Sequence, residues 1–228
     1  VTEVRLGIGS DHRIGHSFIY PGVGYGGSCF PKDIKALIST ALENDYNPNL
    51  ISAVDEVNAR QKSLLAQKIL DHFHGTSDTT IALWGLAFKA NTDDMREAAS
   101  LTIIGALTEA GIRIRAFDPV ANANAKSLLS ENRRVEIVES QYEALNNAQA
   151  LAVVTDWNQF RNPDFVRIKK MLKSPVIFDG RNLYSPMLMR EMGITYISIG
   201  RQPVYNDSPS DTPLASRLAA KYLSSDKQ

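Results

Sequence analysis

Apolar positions along the chain change their period near residue 80. Before it, Ile34, Leu37, Ile38, Ala41 and Leu42 recur at helical spacing. A longer stripe of Ile51, Val54, Val57, Leu64, Leu65, Ile69 and Leu70 predicts one helix over 50–73, with Glu56, Arg60, Lys62 and Lys68 on its other faces. Pro48 and the run 44–49 separate the two helices. A helix that long exceeds the needs of one small core, so it reads as a connector between domains and a subunit contact. Beyond residue 80, short apolar runs at 81–84, 112–117, 135–138, 150–154, 176–178 and 195–199 alternate with helical patterns at 98–110, 121–129, 142–146, 165–172 and 187–192. Such alternation predicts an α/β fold, with a mostly parallel sheet covered on both faces. Ligands of these sheets bind outside the carboxyl ends of the strands.

The remaining stretches are boundaries and loops. Residues 1–6 read as the end of a helix, which Gly7 and Gly9 are expected to stop. A polar loop over 10–15 carries one cation, Arg13. Asp33 reads as the N-cap of the helix that follows it. Residues 75–79 form a linker. The tail from Arg201 is rich in Ser, Asp and Pro, with a helical patch at 214–223, and is expected to be partly mobile. The implied organisation is a helical segment over 1–76, a sheet domain over 77–200 and a tail over 201–228.

Charge narrows the choice of partners. Lys+Arg 25 balances Asp+Glu 25, which leaves no electrostatic case for nucleic acid or an anionic membrane. No apolar run reaches the length of a membrane span. A single cysteine in 228 residues excludes an internal disulfide and fits a reducing, cytoplasmic compartment.

That cysteine lies in the most unusual stretch of the chain. Gly22, Gly24, Gly26 and Gly27 precede Cys29, and Lys32 and Asp33 follow it. Glycines in such density suit a loop that wraps a ligand closely. A nearby cation such as Lys32 favours the thiolate, which is the nucleophile. Asp33 could accept a proton or orient water. The plainer alternative is a small buried hydrophobe among turn residues. Other candidates end predicted strands. The loop 85–97, with Lys89 and Arg96, leads into a helix N-terminus suited to an anion. Asp118 stands where a ribose-binding acid would be, yet no G-x-G-x-x-G accompanies it. Arg181 sits in Asp179-Gly180-Arg181-Asn182 and suits phosphate or sugar oxygens, or is a surface charge on a turn. The histidines His12, His16, His72 and His74 lack a metal-site spacing.

The run Phe18-Ile19-Tyr20-Pro21-Gly22-Val23-Gly24-Tyr25-Gly26-Gly27-Ser28-Cys29-Phe30-Pro31-Lys32-Asp33 closely resembles the nucleophile motif of the UDP-glucose/GDP-mannose dehydrogenase family. Four further motifs follow in the family's order. They are Trp84-Gly85-Leu86-Ala87-Phe88-Lys89, Asn91-Thr92-Asp93-Asp94-Met95-Arg96-Glu97, Phe117-Asp118-Pro119 and Asp179-Gly180-Arg181-Asn182. The resemblance spans about residues 1–199 and is nearest to members acting on UDP-glucose.

It implies a helical central and dimerisation segment followed by a Rossmann-like domain that binds the UDP-sugar, in a homodimer. It also implies oxidation of a sugar C6 alcohol to a carboxylate, with NAD as oxidant and a cysteine thioester on the way. By this resemblance Cys29 is the nucleophile and Asp33 positions water. Phe18, Ile19, Tyr20, Pro21, Gly22, Tyr25 and Gly26 cradle the substrate, with Phe88, Lys89 and Arg181 on the sugar side. Lys32 and Arg96 face the NAD pyrophosphate, and Arg13 acts across the dimer. The family's NAD-binding domain has no counterpart here, nor do its helix Lys and Asn. The expectation is therefore a central and C-terminal piece that binds UDP-sugar but does not turn over alone. Trp84 departs from a smaller apolar residue, and Ala99 from a frequent Pro. A GDP-mannose or UDP-N-acetylhexosamine dehydrogenase, and a non-catalytic nucleotide-sugar-binding or dimerisation module, remain as alternatives.

Overall fold

The computed structural model describes residues 1–17, 19–74 and 78–206. Three helices come first: α1 (Thr2–Gly9), α2 (Phe30–Glu43) and α3 (Asn49–Phe73). A six-stranded sheet follows, formed by β1 (Thr80–Trp84), β2 (Arg113–Phe117), β3 (Val135–Ile137), β4 (Ala150–Val153), β5 (Val176–Asp179) and β6 (Thr195–Ser198). The helices between strands are α4 (Ala99–Glu109), α5 (Asn122–Leu128), α6 (Gln141–Ala144), α7 (Asn158–Arg161), α8 (Phe165–Met171) and α9 (Pro186–Glu191). Every pairing is parallel and the order is β3-β2-β1-β4-β5-β6. The strand order thus reverses beside β1, which opens a crevice at the carboxyl ends of β1 and β4.

Both faces of the sheet carry a core. Leu65 and Ile69 of α3 join Ile103 and Leu107 of α4 over one face. Trp84, Phe160, Ile168, Met189 and Tyr196 fill the other. Trp84 is fully buried, stacks on Phe160 with ring centroids 5.1 Å apart and donates its Nε1–H to the Gln141 carbonyl at 2.7 Å. The large indole is therefore accommodated with its one donor satisfied.

The long helix spans the predicted range, but its apolar stripe divides. Its buried residues are Asn58, Lys62, Leu65, Ala66 and Ile69, whereas Leu50, Val54 and Val57 are exposed. The second half of α3 is core of the sheet unit, so the helix is anchored there as well as leading to it.

Two local expectations are corrected and a third is sharpened. Gly7 does not stop α1, which continues to Gly9 and ends there with Ser10 as a right-handed cap. Gly9 is buried, and a Cβ there would collide with the His16 imidazole, so close packing rather than helix ending accounts for this glycine. Arg5 Nη2 donates to the His16 carbonyl at 3.2 Å and fixes that approach. Asp33 is not an N-cap. Cys29 occupies that position, because Pro31 suits the first turn and carries α2 back across the motif. Asp33 lies inside the first turn, its N–H donating to the Cys29 carbonyl at 2.8 Å. Finally, the start of the tail is held: Val204 is buried and bridges Tyr196 with backbone bonds of 2.7 and 2.9 Å. The predicted patch at 214–223 lies outside the described residues.

Candidate active site

Three elements meet at the glycine loop. Asn58 of α3 clasps Tyr25 from both sides, accepting from its N–H at 2.8 Å and donating to its carbonyl at 3.2 Å. One turn on, Gln61 Nε2 donates to the Gly22 carbonyl at 2.6 Å. From the sheet unit, the Arg96 carbonyl accepts the Gly27 N–H at 2.8 Å. Gly26 then lies so close to the Glu97 carbonyl that any Cβ would collide with fixed backbone.

Glu97 joins all three elements. It accepts from Lys62 of α3 at 2.9 Å and from Lys35 of α2 at 3.2 Å. Hydrogen bonds from Lys62 and then Lys35 hold its carboxyl below the ordinary range. Asn58 and Gln61 were not singled out from the sequence, and Lys62, expected away from the apolar stripe, is buried beside it. The signal that could have found them is polar residues occupying the i, i+3 and i+4 positions of a face that continues as Leu65 and Ile69.

The loop closes over a cavity of about 490 Å³. Tyr20, Pro21, Gly22, Tyr25 and Gly26 form one wall, and Gln61, Phe88 and Arg181 complete it. Seven residues expected to bind substrate are thus brought together. Arg181 is tethered to Asp156 at 3.2 Å and is largely buried. Its loop is built on Asp179, which is fully buried and accepts from Tyr196 Oη at 2.8 Å, Arg181 N at 2.9 Å and Tyr184 N at 3.1 Å. Burial pushes the Asp179 carboxyl above its ordinary value, against those hydrogen bonds.

The other expected residues sit around this cavity or away from it. Cys29 is exposed at the N-terminus of α2, three residues beyond Gly26, with Ser28 Oγ 3.6 Å from its sulfur. Arg96 is exposed and forked onto Asp94 at 2.8 Å. The Asp94 carboxylate raises the Arg96 guanidinium further. Lys32 and Asp33 are exposed and 3.4 Å apart. Lys89 is exposed beside Phe88, its Nζ 5.2 Å from the ring centroid. Ile19 is half-buried and does not line the cavity. Arg13 is outside it too, paired with Asp11 at 2.7 Å on an exposed loop. Phe18 lies outside the described residues.

Asp118 is not a ribose ligand. It is fully buried, and one oxygen accepts the N–H groups of Leu86 and Ala87 at 2.7 and 3.1 Å together with Trp157 Nε1 at 3.0 Å. Its other oxygen accepts from Val120 and Ala121 at 3.0 and 2.9 Å. The Gly85 N–H is committed to the Phe117 carbonyl at 2.9 Å. The N–H groups that a dinucleotide pyrophosphate needs after β1 are therefore already bonded. This sheet unit does not fit NAD. Of the residues expected to meet NAD, Lys32 and Arg96 are both exposed.

A second, apolar cavity of about 380 Å³ backs onto the first. Leu50, Ala53, Val54 and Val57 of α3 line it, and Gly24, Tyr25 and Gln61 are common to both. The Tyr25 hydroxyl in this shared wall is buried without a hydrogen-bond partner among the described residues.

Known proteins match this arrangement. Residues 1–60 match the central domain of the UDP-glucose/GDP-mannose dehydrogenase family, and residues 82–186 match its UDP binding domain. A UDP-glucose 6-dehydrogenase of Pseudomonas aeruginosa is 49% identical over 205 residues, covering 88% of this chain and 45% of that protein. UDP-glucose 6-dehydrogenase TuaD of Bacillus subtilis is 42% identical over 211 residues, covering 92% of this chain and 45% of that protein. The solved UDP-glucose dehydrogenase of Pyrobaculum islandicum superposes with a TM-score of 0.70 at 31% identity, over 78% of this chain and 39% of that one. The chain spans less than half the length of these relatives. With both family domains matched in order and the cysteine loop built against the sheet unit, the chain belongs to the UDP-glucose/GDP-mannose dehydrogenase family.

Proposed function

We propose that this chain holds UDP-glucose and supplies the thiol for its NAD-dependent oxidation to UDP-glucuronate. The observation that carries the reading is the cavity itself, in which the glycine loop faces Phe88 and Arg181 and leads directly to an exposed Cys29.

In this reading Tyr20, Pro21, Gly22, Tyr25 and Gly26 enclose the sugar nucleotide, and Arg181 and Lys89 meet its sugar or phosphate oxygens. Cys29 adds to the C6 aldehyde as a thiohemiacetal, which becomes a thioester only after giving up a hydride and a proton, and water then cleaves that thioester. Asp33 orients that water. The N-terminus of α2 favours the negative charge that develops beside Cys29. NAD, when bound, supplies the hydride acceptor, and Lys32 and Arg96 are the residues of this chain that meet its pyrophosphate. A single free cysteine and an NAD-linked reaction support a cytoplasmic setting in this reading.

The apolar cavity on α3 supports a homodimer formed through Leu50, Val54 and Val57. Arg13, exposed and outside its own cavity, is assigned to the substrate held by the second copy.

Calorimetric titration with UDP-glucose, GDP-mannose and NAD, side by side, tests the reading. Heat with UDP-glucose alone is expected. Preference for GDP-mannose would move the chain to that branch of the family. NAD binding without UDP-glucose binding would overturn the reading.

A further inference from the structure

The amino-terminal ends of the strands carry a second polar cavity, of about 280 Å³, at the opposite end of the sheet from the glycine loop. Arg113 and Arg115 of β2, Arg133 and Arg134 before β3, and Lys173 before β5 all line it, against one carboxylate, Glu136. The whole chain is charge-balanced, so composition does not account for five cations around one concavity. Cations gathered in this way repel one another unless an anion joins them.

Part of this charge is already engaged. Arg113 meets the exposed rim residue Asp78 at 2.7 Å, Arg115 is paired with Glu136, and Arg134 donates to the Gly111 carbonyl at 2.8 Å. The rest is uncommitted. Arg133 and Lys173 have no side-chain partner among the described residues. The Arg115 Nε–H is buried without an acceptor. A buried donor in this state is costly unless a ligand completes it. Asn146 and Asn147 add neutral amides to the wall. Several guanidinium forks with an ammonium and side-chain amides suit several phosphate groups better than one.

We propose that this cavity binds a small molecule carrying two or more phosphate groups, such as a nucleoside polyphosphate or an inorganic polyphosphate. The bound anion bridges the segments that enter β2, β3 and β5, and so acts on the sheet from the end opposite the substrate.

Titration with inorganic tripolyphosphate at low ionic strength tests this, with orthophosphate as the comparison. Tripolyphosphate is expected to bind more tightly, and Arg133→Ala/Lys173→Ala to weaken it by about tenfold or more. Both side chains are exposed and unpartnered, so the double variant is expected to fold. Arg181→Ala should leave this binding unchanged. Amide resonances of Asn146 and Asn147 should shift on titration, and those of Gly22 and Gly26 should not. The proposal is overturned if Arg181→Ala abolishes binding while the double variant does not. It is equally overturned if orthophosphate binds as well as tripolyphosphate, or if a single-stranded oligonucleotide outcompetes both. ATP titrated beside tripolyphosphate separates the two sources, since tighter ATP binding at this cavity means that a nucleoside is read as well.

Discussion

Lys62 Nζ lies 2.9 Å from Glu97 Oε2, joining the long helix to the turn whose backbone packs on Gly26. Lys62 is buried and Glu97 is half exposed, so their attraction is only partly screened. Because the bonds from Lys62 and Lys35 lower the Glu97 pKa, the stabilisation they supply is present above the ordinary Glu value of about 4.3 and is lost as pH falls through the depressed value. Denaturant midpoints measured across that acid window should fall in the wild type, and Glu97→Gln should flatten the fall. An equal fall in both would remove Glu97 from the account.

Gly26→Ala drives a methyl group against backbone that cannot swing aside. The expected cost is about 1–3 kcal/mol in denaturant unfolding, as for other overpacked sites. UDP-glucose affinity should fall with it, since the same loop walls the cavity. A variant with unchanged stability would mean that the loop moves freely from Glu97.

Arg181→Lys keeps the charge but loses the planar fork and the tether to Asp156. UDP-glucose binding should weaken by about tenfold, or roughly 1.4 kcal/mol, by calorimetry. The fold should survive, because the loop stands on Asp179 rather than on Arg181 itself. Unchanged affinity would take Arg181 out of the substrate contact.

Asp118→Asn replaces an acceptor of several N–H groups with an amide that presents donors to some of them. A loss of about 3 kcal/mol is expected, with the loops after β1 and β2 loosened. Thermal unfolding followed in the near ultraviolet would report both, since Trp157 shares the same carboxyl.

Cys29 is exposed and is the only thiol, so iodoacetamide should label it and UDP-glucose should protect it. Cys29→Ser should abolish labelling while leaving UDP-glucose affinity near wild type. Label that enters at the same rate with saturating UDP-glucose would separate the thiol from the cavity.

Much of this was legible from periodicity. The long helix was found nearly to its ends, and the six strands to within a residue or two, because their apolar runs alternate cleanly with helical patterns. The glycine loop, Phe88 and Arg181 were found by motif, and the structure gathers them. What escaped was set by tertiary packing. Gly7 lies inside α1 and Gly9 is needed for the close approach of His16, and Asp33 gives up the cap to Cys29 because Pro31 starts the turn earlier. Asp118 resembles a ribose ligand until its acceptor capacity is seen to be taken by local N–H groups. Asn58, Gln61 and Lys62 resembled the solvated face of a helix, because their partners lie more than thirty residues away. The short helix α7 carries too few residues to show a period.

The clasp of Asn58 and Gln61 on the glycine loop also bears on the order in which the molecule assembles. The loop's backbone groups are met by side chains 33 and 39 residues further along, and by the carbonyl of Arg96. Two of those partners require α3 to have formed, and the third requires the sheet unit to have packed against the loop. The stretch leading to Cys29 is therefore expected to order late and to open early. In native-state hydrogen exchange, the amides of Tyr25 and Gly27 should open well below the free energy of global unfolding, ahead of those of β1 and β4.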